Sequence, residues 1–163
     1  MSTTTELPEV HQRVDYQKAS PKALQAMYGL ETAVRSSGLE RPLLELVKLR
    51  ASQINGCAFC IDMHTREAHE AGESHRRLHL VGAWREAPFF TARERAALAW
   101  TESLTLLPET SAPDDVYAEL QAHFTPEEQV KLTMLIGIIN AWNRFGAGFR
   151  GVHALPRAEK AAA

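Results

Sequence analysis

The sequence predicts an all-α fold: a single domain of roughly six to seven helices. Three observations carry this. Helix-cap signals recur along the chain, apolar residues between them repeat at three- and four-residue spacing, and no alternating strand pattern is present. A chain of 163 residues is long enough for one domain with its own core. Hydrophobic residues at 45% and charged residues at 23% are ordinary globular proportions.

In chain order, residues 1–19 are polar and read as an irregular arm. Residues 20–155 read as the domain, and residues 156–163, ending in "AEKAAA", as a flexible tail. In "SPKALQAMYGLETAVRSSG", Ser20 is the expected N-cap, Pro21 the first helical position and Gly38 the stop. "RPLLELVKLRASQING" has apolar Leu43, Leu44, Val47 and Leu49, with Ile54 further on, and Asn55-Gly56 ends it. The next helix, "CAFCIDMHTREAHEAG", runs to Gly72, and Ser74 caps a short one through "HRRLHLVGAW". Thr91 with Glu94 forms a capping box, Pro113 opens "PDDVYAELQAHF", and Thr125 with Glu128 forms a second box. The segment Met134 to Phe145 is apolar on more than one face, which fits a central core helix or a subunit interface.

A formal net charge of -2 leaves no basic excess to neutralise phosphates, so nucleic acid is not an expected partner. The longest apolar run, Met134 to Ala141, is far shorter than a membrane span and includes Gly137 and Asn140. "MSTTTELPEVHQ" lacks the basic and apolar regions of a secretory signal, so a cytoplasmic location is expected. Thiols are mostly kept reduced there, and a close-spaced pair is more often catalytic, redox-active or metal-binding than a structural staple.

The chain has two cysteines, Cys57 and Cys60, with His64 four residues on. On a helix starting near Gly56 the three share one face. Residues three apart lie within the roughly 4.4–6.8 Å Cα range of a disulfide. Such a bridge closes a very small loop and stabilises little, which favours redox work over stapling. A free thiol with a pKa of about 8.5 is only a few per cent thiolate at neutral pH. Lowering it by two units takes about 2.7 kcal/mol, whereas a helix N-terminus supplies about 0.3–1 kcal/mol and at most about 2. A base or cationic neighbour is needed, and His64 has the right spacing. If the chain folds back at Asn55-Gly56, a rise of about 1.5 Å per residue orders the groups from the turn as Cys57, Cys60, His64 and Glu45. Glu45 then stands about one turn beyond His64, close enough to orient it directly or through water. Two other readings stay open. The pair could be small buried core residues. Cys57, Cys60 and His64 could also supply three zinc ligands, although a closed site needs a fourth and His69 lies about 140° away round the helix.

Glu45, eleven residues, then Cys57-Ala-Phe-Cys60-Ile-Asp-Met-His64 resembles the E-x11-C-x-x-C-x-x-x-H pattern of alkylhydroperoxidase D-like proteins of the carboxymuconolactone decarboxylase family. The stretches "LVKLRASQINGCAFCIDMH", "AWREAPFFTARERAALAWTESLT" and "HFTPEEQVKLTMLIGIINAWNRF" are similar to that family too. The resemblance implies an all-α fold around a central antiparallel helical hairpin, assembled as trimers or hexamers. It implies a thiol-dependent peroxidase or dithiol-disulfide oxidoreductase in antioxidant defence, with no tightly bound cofactor. Cys60 would be the peroxidatic nucleophile, Cys57 the proton donor and resolving thiol, His64 the general base and Glu45 its orienting group. The substrate would be a hydroperoxide, and the reductant an external dithiol or lipoyl group. Decarboxylase members generally lack the cysteine pair. Well-known peroxidase members carry a histidine between the cysteines, where this chain has Phe59, so a second proton carrier beside Cys57 is missing. The alternative class is a non-catalytic redox switch or structural zinc protein; an i, i+3 disulfide within one helix constrains little else, which weakens the switch.

Overall fold

Nine α-helices and one 3-10 turn, with no strand, make up residues 11–152, the part of the chain described by this computed structural model. The helices are α1 (Tyr16–Ala19), α2 (Pro21–Arg35), α3 (Arg41–Ile54), α4 (Ala58–Glu70), α5 (His75–Leu80), α6 (Ala92–Thr105), α7 (Leu107–Thr110), α8 (Asp114–His123) and α9 (Pro126–Gly148). The 3-10 turn, Val81–Ala83, continues α5. The all-α expectation holds. The helices outnumber the six or seven expected because α1 and α7 have four residues each, too few to display a helical repeat. α1 falls within the arm expected to be irregular; Asp15 caps it by accepting from the Lys18 amide at 3.1 Å. Residues 1–10 of that arm, and the whole expected tail, lie outside the described residues.

Both capping boxes form. Thr91 accepts from the Glu94 amide and Thr125 from that of Glu128, and each glutamate reaches back to the amide of its threonine. Ser74 caps α5 through the Arg77 amide at 3.2 Å. Ser20 precedes Pro21 as expected but makes no side-chain cap, since it also closes the α1 turn through its own amide to Tyr16 O at 3.1 Å. α2 ends at Arg35, before the Gly38 stop. Ser36 Oγ bonds Thr32 O at 2.9 Å at that end, and Gly38, at φ +93°, turns the chain into α3.

α3 is the central helix. Leu43, Leu44 and Val47 enter one apolar cluster with Ala97, Trp100, Leu132 and Ile136. Leu46 and Leu49 enter a second with Leu78, Val81, Trp84 and Leu98. Each fully buried leucine contributes about 1.5–3 kcal/mol relative to exposure, so α3 is fixed by apolar packing from two directions. The polar groups it carries inward must follow. α9 packs on α2, α3, α4, α6 and α8. It is not covered all round: Val130 and Met134 are 60% and 41% exposed.

α3 and α4 pack together as a hairpin about Asn55, Gly56 and Cys57. Gly56 sits at φ +64°, a left-handed conformation that suits glycine. The amides of Gly56 and Cys57 close the end of α3 on Gln53 O (3.2 Å) and Ser52 O (3.1 Å). Among the described residues, no helix is long and apolar enough to cross a membrane.

Candidate active site

Cys57 is the N-cap of α4, and its sulfur accepts from the Cys60 amide at 3.4 Å. Both thiols are free and buried. The Cys60 thiol hydrogen-bonds to the Cys57 sulfur, which holds Cys57 down at about 6 even though burial works against the charge; the Cys60 amide, Asn143 and the His64 charge act in the same direction. Cys60 is pushed up, first because its proton is the one Cys57 holds and second because it is buried. The pair therefore loses its first proton from Cys57. The cavity beside the site is lined by Cys60, not Cys57. Ionisation and access belong to different sulfurs.

One turn on, His64 is 3% exposed. Its Nδ1 lies 3.3 Å from Glu45 Oε2 on α3 and 3.3 Å from Glu67 Oε2 on α4. These are charge contacts without hydrogen-bond alignment: neither His64 Nδ1 nor Glu45 Oε2 makes an aligned hydrogen bond. Glu45 Oε1 accepts from Lys48 Nζ at 2.7 Å, and the same ammonium lies 3.7 Å from Glu67 Oε2. Burial opposes charge on His64, but the two carboxylates outweigh it and raise its pKa. Glu45 is held below the usual carboxylate range, with burial overcome by His64 and Lys48. Glu67 is held down at about 2, chiefly by His64. With both bases protonated and both carboxylates ionised, the four charges cancel. A buried group of this kind avoids the cost of an uncompensated charge.

α9 closes the site from the other side. Asn55 Nδ2 donates to Asn140 Oδ1 (3.0 Å) and Asn143 Oδ1 (2.9 Å), and Asn143 Nδ2 donates to Ser52 Oγ (3.0 Å). The hairpin turn is thereby tied to α9. One turn beyond Asn143, Gly146 brings bare backbone against the sulfurs: a Cβ there would lie 2.7 Å from Cys57 Sγ and 3.1 Å from Cys60 Sγ. The Phe59 ring is packed just as closely against Gly151, where a Cβ would stand 2.9 Å from the ring. The cavity, of about 220 Å³, has Cys60, His64, Glu67 and Lys48 on its polar side. Leu44, Met63, Leu135, Ile138 and Ile139 line its apolar side, with Tyr16, Tyr28, Phe59 and Trp142. Tyr28 packs on Trp142 with centroids 5.1 Å apart, and Trp142 donates to Glu31 Oε2 at 3.0 Å.

The structure therefore brings Glu45 directly to His64 and Cys57 to Cys60, and sets Cys60 and His64 on one cavity wall. Sequence reasoning missed Glu67, Lys48 and Gly146. Glu67 is three residues after His64 and Lys48 three after Glu45, a same-face spacing visible in the sequence but shared by ordinary surface ion pairs. Gly146 carried no local signal, because its constraint comes from a helix remote in sequence. Among the described residues, the ligand-type atoms that gather within 4.8 Å are those of Glu45, His64 and Glu67. That group does not include the cysteines invoked for a zinc site. His69, weighed as a fourth zinc ligand, turns instead to Glu73 O at 3.2 Å and stacks on His75.

A helical hairpin carrying Glu45, Cys57, Cys60 and His64 inside an all-α domain defines an alkylhydroperoxidase D-like protein. The chain belongs to the carboxymuconolactone decarboxylase family, whose sequence pattern matches residues 21–103. It is 41% identical over 133 residues to the uncharacterized protein YdfG of Bacillus subtilis, covering 82% of this chain and 90% of that one. It is similar to a crystal structure from Agrobacterium tumefaciens, named as a protein of unknown function and proposed antioxidant defence protein AhpD. The TM-score is 0.87 at 50% identity, over 90% of this chain and 100% of the other. The fold also matches the debrominase Bmp8, with a TM-score of 0.77 at 19% identity over 85% and 75% of the two chains.

Proposed function

We propose that the protein is a thiol-dependent hydroperoxidase working in antioxidant defence. The observation that carries the reading is the division of labour in the pair: Cys60 lines an apolar cavity while Cys57 behind it carries the lowered pKa. His64, with Nδ1 facing the carboxylates, uses Nε2 as the base that removes one of the two thiol protons. The remaining proton is shared between the sulfurs. When it sits on Cys57, Cys60 is a thiolate and attacks the terminal oxygen of a hydroperoxide. The O–O bond breaks, Cys60 becomes a sulfenic acid, and the departing alkoxide takes the Cys57 proton and leaves as an alcohol. Cys57, now a thiolate, attacks the Cys60 sulfur. The disulfide forms, and the released hydroxide takes the His64 proton and leaves as water. An external dithiol or lipoyl group returns two electrons and two protons to the pair. Glu45 orients His64 and stabilises its charge.

The role suggested for the Agrobacterium relative supports this reading, as does the combination of Glu45, the cysteine pair and His64 in one fold. The family resemblance also leads us to propose that it works as a homo-oligomer. The test is peroxide consumption in the presence of a dithiol by wild type, Cys60→Ser and His64→Gln. Wild type should turn over, Cys60→Ser should be inactive, and His64→Gln should fall by about 10²–10⁴-fold. A Cys60→Ser protein as fast as wild type would defeat the proposal.

A further inference from the structure

Two carboxylates face the one proton that His64 Nδ1 can offer, and they are not equivalent. The Glu45 side chain is 3% exposed and sealed between α3 and α4, while that of Glu67 is 35% exposed. Glu67 lines the cavity together with Cys60 and His64; Glu45 does not. Both oxygens stand 3.3 Å from Nδ1, and that nitrogen aligns with neither. Lys48 reaches both acids, at 2.7 and 3.7 Å. The imidazole is thus held on its far side by a buried acid and a wet one.

We infer that Glu67 is a second positioning residue of the thiol site, acting through His64 to set how strongly the imidazole holds a proton. The inference rests on the hydroperoxidase reading for its consequence in catalysis, not for its effect on His64. Phe59 has no titratable group to offer beside Cys57, and its ring is locked against Gly151. Of the two carboxylates beside Nδ1, Glu67 is the one that also lines the cavity. The groups that bear on His64 are few. α3 brings Glu45 and Lys48, and α4 brings Cys57, Cys60 and Glu67. Arg35 of α2 acts on Glu67 and lines the cavity with Glu31, and the two thiols act on Tyr16 of α1. α9 contributes Asn143 and Gly146, neither of which titrates. Removing the Glu67 charge leaves Lys48 opposing a proton on His64 with only Glu45 to favour it.

The sign follows. Loss of the carboxylate lowers the His64 pKa. In the proposed cycle the imidazolium protonates the leaving hydroxide, so the alkaline limb of the pH–rate profile moves to lower pH while the acid limb, set by the thiol pair, does not follow it down. The experiment is NMR titration of the His64 ring in the reduced wild type, Glu67→Gln, Glu67→Asp and the exposed control Glu70→Gln, with melting temperatures alongside and pH–rate profiles of peroxide consumption. Expected are a His64 midpoint lower in Glu67→Gln by about one unit, roughly a tenfold change in proton affinity, partial recovery in Glu67→Asp, and no shift in Glu70→Gln. An unchanged His64 midpoint in folded Glu67→Gln overturns the inference whether or not the wild type consumes peroxide. A shifted midpoint with no peroxide turnover in wild type sustains the inference and defeats the hydroperoxidase reading instead.

Discussion

Two buried glutamates lie on adjacent helices, and they are treated in opposite ways. Glu102 on α6 is fully served. Its Oε1 accepts from Arg50 Nε at 2.7 Å and Trp84 Nε1 at 2.9 Å, and its Oε2 accepts from Arg85. Glu45 on α3 has one aligned donor, Lys48, and its other oxygen looks at His64 without bonding it well. Buried polar groups are normally satisfied, so capacity left unspent is a sign of use. Glu102 ties α3, α6 and the segment after α5 into one body. Glu45 keeps one oxygen turned to His64 Nδ1 at 3.3 Å. The difference separates a carboxylate that holds the fold from one that, in the proposed function, serves the chemistry, though type and depth are alike.

The contrast can be broken most forcefully at Glu102. Glu102→Ala strands the Trp84 indole and a largely buried Arg50, and should cost about 3 kcal/mol in urea unfolding. Peroxide turnover per folded molecule should stay near wild type; a loss of turnover without loss of stability would erase the distinction. Glu45→Gln should do the reverse. Turnover should fall by about a hundredfold, while stability changes less than in Glu102→Ala because Glu67 remains near Lys48.

A smaller effect sharpens the comparison through pH. His64 has a raised folded pKa, so its contribution to stability is fully present below its unfolded value of about 6.5 and is lost as pH rises through the folded one. Glu67 has a depressed pKa, so its contribution is present above its unfolded value and is lost as pH falls toward about 2. Glu102 shares that acid-side loss, since its pKa is also lowered. Urea unfolding across pH should therefore show an alkaline decline that His64→Gln removes and Glu102→Ala leaves in place. The thiols give the last and mildest check: ultraviolet absorbance should report one thiolate per chain appearing near pH 6, not two.

Much of this was legible because it is local. Thr91 with Glu94 and Thr125 with Glu128 mark helix starts within four residues, and Asn55-Gly56 fixes the hairpin that carries Glu45 to His64. What could not be read depends on elements meeting from afar. The three donors of Glu102 sit at positions 50, 84 and 85, with no spacing rule to join them. Glu67 and Lys48 had a helical spacing but looked like any surface ion pair until the closed hairpin set them beside His64 and Glu45. α1 is held by its Asp15 cap and α7 by Thr110, which donates to Ser103 O at 2.7 Å, and single turns leave no periodic trace.

Trp142 has an optical consequence. The chain has three tryptophans, and two of them, Trp84 and Trp100, are 5% and 9% exposed in the apolar clusters. Trp142 stands in the wall of the cavity that Cys60 faces. The protein thus carries a built-in fluorophore in the cavity that Cys60 lines. Entry of an apolar molecule should quench or shift that one emission, so occupancy of the site can be followed by light without label or turnover.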